Sequence, residues 1–75
     1  MKNFEKSIDY QQQTIEYFAR IGAKYELAES HYYLGLTYRD LGELKTAQGH
    51  WQQAMTIFRQ MKTPKQVNKV LACLD

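Results

Sequence analysis

The chain is poor in residues that cross-link, break or anchor a small fold. Its 75 residues include one cysteine, one proline and four glycines. The lone Cys73 excludes a disulfide within the chain and suits a reducing compartment, leaving only bridges between chains. No long apolar run is present, and Met1-Lys2-Asn3-Phe4 leads straight into charged residues. The sequence is therefore read as having no signal peptide and no membrane span, and a cytoplasmic setting is expected. A formal net charge of +2 is too small to imply a polyanion partner by itself. Gly22, Gly35, Gly42 and Gly49 are too far apart to form a phosphate-binding loop. The length allows one domain with a modest core, marginal on its own.

The groupings that carry chemistry are missing too. A metal site needs three or four converging ligands, and His31, His50 and a distant Cys73 do not supply them. Nucleophilic catalysis needs a base beside a nucleophile. Ser30 beside His31 is adjacency only, because helix neighbours point in different directions. The reading is of a non-enzyme with no cofactor and no metal. His31 is expected to pack as a partly buried ring, and Cys73 as a small apolar residue. His50 is expected on the outer side of its helix.

What the chain does have is aromatic area and helical period. There are six tyrosines, three phenylalanines and one tryptophan. Phe4, Ile8, Ile15 and Phe18 recur at helical spacing, with Gln11 in register between them and Tyr10 and Tyr17 as an outer stripe. This predicts a helix over 4–21, capped by Asn3 and ended by Gly22. A second helix is expected over 24–41, with Leu27, Leu34, Tyr38 and Leu41 on its apolar line. A third is expected over 44–61, with Leu44, Ala47, Trp51, Ala54, Met55 and Phe58 turned inward. Thr63 as N-cap and Pro64 at the first helical position start a fourth over 64–74. Its Val67, Val70, Leu71 and Leu74 form one face, and Lys65, Gln66, Asn68 and Lys69 a water-facing one.

The stretch Glu29 to Phe58 organises the rest. Small residues at Gly35, Ala47 and Ala54 let two antiparallel helices approach, with Gly35 facing the region of Ala47, and Tyr38 and Trp51 fill the adjoining space. His31-x2-Leu34-Gly35-x2-Tyr38, followed by Ala47-x3-Trp51 and Ala54, resembles the tetratricopeptide repeat. His31 replaces the family's first aromatic, and Arg59 stands where its proline would fall. A shift of forty residues superposes Gln12-Gln13 on Gln52-Gln53, Ile15 on Met55, Phe18 on Phe58 and Leu27 on Val67. The same shift sets Ser7 on Ala47, Gln11 on Trp51 and Thr14 on Ala54. The resemblance is thus to the extended type, with a repeat of ~40 residues. It implies an all-α array of four antiparallel helices with right-handed superhelical stacking. The expected division is a half repeat over 1–22, a full repeat over 23–62 and a half repeat over 63–75.

The resemblance also implies a function, the binding of a partner peptide or helix on the face lined by the first helix of each repeat. Carried across, that face holds Glu29, Tyr32, Leu36, Arg39 and Asp40, then Lys69 and Ala72 from the next half repeat. Arg39 can pair bidentately with a carboxylate. The family's lysine- and asparagine-rich carboxylate clamp is absent. Self-association as a homodimer is expected through Tyr10, Tyr17 and Ile21, an apolar patch that monomers tend to cover. Two alternatives are a segment of a longer array in a bacterial signalling or transcription regulator, and a weak nucleic-acid binder. The latter would use Arg59, Lys62, Lys65 and Lys69, but Asp40, Glu43 and Asp75 dilute their field, so no nucleic-acid or membrane partner is expected.

Overall fold

The computed structural model describes residues 4–74; Asn3, the expected cap, and Asp75 lie outside them. Four helices follow in order: α1 Phe4–Ile21, α2 Lys24–Asp40, α3 Leu44–Gln60 and α4 Pro64–Leu74. No strand occurs among the described residues. The expected boundaries hold to within one residue. Leu41 and Met61 are caps rather than last helical residues.

Punctuation every twenty residues sets this layout. The first helix ends with Ala23 N–H donating to Phe18 O (3.0 Å), the second with Glu43 N–H to Tyr38 O (2.9 Å), the third with Thr63 N–H to Phe58 O (3.1 Å). In each case the residue before the donor has a left-handed backbone: Gly22 at φ 74°, Gly42 at φ 85° and Lys62 at φ 56°. This is the six-to-one closure that satisfies the last carbonyls of a helix, with an aromatic at the accepting position each time. Lysine at 62 takes a conformation that glycine adopts at no steric cost. Thr63 holds the expected N-cap position, its carbonyl accepting from Gln66 N–H at 3.0 Å and Val67 N–H at 3.1 Å. Its hydroxyl does not cap α4 but donates to Phe58 O at 3.0 Å, closing α3.

Each helix packs on the next in sequence, and the α2–α3 contact is the largest. Ala28, Leu34, Ala47, Trp51, Ala54, Phe58 and Val70 are fully buried. Small residues from both helices bring the backbones together, and the flat indole fills what is left. The space at Gly35 belongs to Trp51. A Cβ built on Gly35 would lie 2.6 Å from Trp51 Cδ1 and 2.9 Å from Cε2, and nearer still to Nε1. Trp51 Nε1–H also donates to Tyr32 O at 3.2 Å. Without a Cβ on the following turn, that carbonyl stays open to a second donor.

Some expected core positions lie elsewhere. Leu41 and Leu44 are exposed, because they flank the turn at Gly42 where no third element covers them. His50 is not on an outer face. It is half-buried, stacked on Tyr38 (centroids 5.6 Å apart) and on His31 (5.2 Å), with His31 Nδ1 to His50 Nδ1 at 3.0 Å. One position before Trp51 is a rotation of ~100° on a helix, which reaches the edge of the α2 contact. Gln66 and Lys69 are not on a purely wet face either. Both are half-buried, and Gln66 Nε2–H donates to Tyr25 OH at 3.0 Å.

Candidate functional site

Two helices that are not neighbours in sequence, α2 and α4, meet along one seam. Both pack on α3, so their side chains face each other beside it. The seam starts at the Gln66–Tyr25 hydrogen bond, where the Tyr25 ring also packs edge-on against Phe58 at 5.6 Å. One turn further along α4, Lys69 Nζ lies 4.6 Å from the centre of the Tyr32 ring and 5.9 Å from that of Tyr33. This distance places an ammonium over the negative face of an aromatic. Tyr32 and Tyr33 themselves pack edge to face at 5.3 Å. Cys73, a turn beyond Lys69, sits beside the Tyr32 hydroxyl. Burial first, and then this thiol, raises that hydroxyl above the ordinary phenol range.

The seam gathers some of the expected binding residues and not others. Tyr32 and Lys69 are brought into contact. Arg39 is near enough to act on the Tyr32 hydroxyl in the opposite sense, lowering its pKa. Arg39 and Asp40 are exposed and pair with each other at 3.8 Å, with side-chain exposures of 50% and 46%. A pair this open adds little rigidity and leaves both groups available. Leu36 is half-buried against the core, so it supports the face more than it extends from it. Glu29 is half-buried and Ala72 exposed.

Sequence reasoning missed Tyr25, Tyr33, Gln66 and Cys73. Tyr25, Tyr32 and Arg39 are spaced by sevens on α2, and Gln66, Lys69 and Cys73 by three and four on α4. Each set marks one helix face. That the two faces meet depends on α3 holding both, which spacing within one helix does not reveal.

The residues expected to mediate self-association lie apart from the seam, on α1. Tyr10, Tyr17 and Ile21 are 72%, 55% and 55% exposed. An open depression between α1 and α2 is lined by Tyr10, Gln11, Thr14, Ser30 and Tyr33. Another is lined by Leu27, His31, Gly49, Gln52, Gln53, Thr56 and Ile57. A third lies at the α3–α4 turn, around Lys62, Pro64 and Val67. Among the described residues no group of three or more His, Cys, Asp or Glu converges to hold a metal ion. No helix among them is long and apolar enough to cross a membrane.

Among protein families, the model described as tetratricopeptide repeat fits residues 1–60 of the chain. No curated protein and no solved structure matches it.

Proposed function

Because the chain belongs to the tetratricopeptide repeat family, whose repeats generally mediate protein–protein interaction, we propose that it binds a partner peptide or helix along the α2/α4 face. Glu29, Tyr32, Leu36, Arg39, Asp40 and Lys69 are the proposed contact residues. The observation that carries this reading is the convergence of Tyr32 and Lys69, from separate helices, at 4.6 Å. An aromatic ring and two cations, Lys69 and Arg39, then share one surface. Such a surface suits a segment with an apolar side chain flanked by carboxylates, since aromatic and arginine side chains anchor interfaces and arginine binds carboxylates in two-point fashion. Repeats of this family are scaffolds and not catalysts, and the role proposed here needs no cofactor.

Self-association belongs to the same proposal, through Tyr10, Tyr17 and Ile21. Three large apolar side chains more than half exposed on one helix support it. The setting proposed for both activities is cytoplasmic, in keeping with the free thiol of Cys73.

Quantitative capture from an extract of the source cell tests the binding face. Wild type and the Tyr10→Lys/Tyr17→Lys variant should retain a common set of proteins, and Tyr32→Ala/Arg39→Ala should lose it. Capture that survives Tyr32→Ala/Arg39→Ala and is lost in the α1 variant would move the binding site to α1. Sedimentation equilibrium at micromolar concentration tests self-association, and a single species at 8.9 kDa would refute it.

A further inference from the structure

The imidazoles of His31 and His50 meet inside the α2–α3 interface, Nδ1 to Nδ1 at 3.0 Å, with ring planes 27° apart. A contact of this kind holds a single proton between the two nitrogens. One ring donates its N–H and the other accepts with a lone pair. A second proton would set two N–H groups against each other. His31 is 8% exposed and only its edge lines the open depression beside Leu27 and Gln53, so most of the residue is out of reach of water that could relieve that conflict.

The surroundings of the pair are neutral. From α2, the Tyr38 ring lies flat against His50, with planes 3° apart. From α3, the residue beside His50 is the buried Trp51. Burial first, and then the charge of His50, lowers His31 from 6.5 to about 4; burial lowers His50 as well. No carboxylate and no charged group of α1 or α4 is among the causes of either shift. The pair is also wired to the binding face. Tyr32 follows His31 directly, and its carbonyl is held by the indole of Trp51, which follows His50 directly.

We propose that the His31–His50 pair is an acid-sensitive latch that fastens α2 to α3, and that its full protonation frees α2, with Tyr32 and Arg39, from the support that fixes their placement. As regulation of partner binding this rests on the α2/α4 face being the binding site; as a property of the fold it does not. The sign follows from proton counting. Between pH 6.5 and about 4 the unfolded chain takes up a proton at His31 that the folded chain refuses. The latch is therefore at full strength above pH 6.5 and is lost as pH falls toward 4.

The test is a pH titration of the intact chain, with each imidazole followed by NMR and the sole tryptophan, Trp51, by its emission. The His31 ring should titrate well below 6.5, and Trp51 emission should shift to the red as it does so. Urea unfolding supplies the second readout. From pH 7.5 to 4.5 the unfolding constant of wild type should rise roughly a hundredfold more than that of His31→Phe/His50→Gln, in which carboxylate titration is retained. A His31 ring that titrates near 6.5, or equal pH dependence in the two proteins, overturns the latch. If the double variant does not fold, the wild-type imidazole titration decides alone. Neither readout involves a partner, so the latch and the binding face fail separately.

Discussion

The first and third helices occupy the same place in a forty-residue period and have opposite fates. α3 fully buries Ala47, Trp51, Ala54 and Phe58. In α1 the corresponding positions are Ser7, Gln11, Thr14 and Phe18, and no residue of the helix is buried. Length does not separate the two, at 17 and 18 residues. Both carry a clear apolar stripe. What differs is company, for α3 has α2 on one side and α4 on the other, whereas α1 packs on α2. A helix in such an array draws its stability from its neighbours, and its own pattern only makes that contact available. The side chains reflect the difference. Where α3 has an indole sealed against Gly35, α1 has Gln11, whose amide oxygen is buried without a hydrogen-bond partner among the described residues.

Truncating the two equivalent residues should give the widest separation. Trp51→Ala removes the largest buried side chain and should cost about 3–5 kcal/mol. That is a large share of the stability of a domain this small, about 4–11 kcal/mol, and nearly all of it at the lower end, so the melting temperature should fall steeply. Gln11→Ala should cost less than about 1 kcal/mol, since it deletes an unpaired polar atom along with modest packing. Circular dichroism melts of the two variants make the comparison. Similar losses would mean that α1 contributes as much as α3.

A second contrast sets two mid-helix glycines against each other. Gly35→Leu should destabilise by about 3 kcal/mol, because even its Cβ collides with the Trp51 ring. A Cβ added at Gly49 would meet nothing within 4 Å among the described residues, so Gly49→Ala should stabilise by up to ~1 kcal/mol through helix propensity alone. Urea midpoints moving the same way in both variants would show that space around Trp51 is not what Gly35 provides.

The smallest effect is expected at the third turn. Lys62→Gly relieves a left-handed lysine and should stabilise by somewhat less than ~1 kcal/mol, offset in part by the freer unfolded chain. A loss of stability in urea unfolding would mean that the lysine side chain contributes more to the turn than its backbone costs.

The parts of this fold that are legible in the sequence are those written locally. Three-four spacing of apolar residues and the marks at Gly22, Gly42 and Pro64 define four helices with nearly correct ends. The pattern of small and large residues from Gly35 to Phe58 defines the buried α2–α3 pair. The turn at Lys62 is less plain, because no glycine marks its left-handed backbone. Spacing puts His50 on the wrong side, because its burial depends on which way α2 crosses α3, a matter of tertiary rotation. The Tyr32–Lys69 contact joins residues 37 positions apart through a third helix, so each can be assigned to a face without knowing that the faces touch.

Native-state hydrogen exchange, read at each backbone amide, tests most directly the claim that neighbours rather than pattern set the stability of each helix. Amides in the Ala47–Phe58 turns of α3 should be the slowest, opening only with global unfolding, and those in Ser7–Phe18 of α1 should exchange through cheaper local opening. Equal protection in α1 and α3 would contradict the account, since two equivalent helices would then be equally stable despite their unequal contacts.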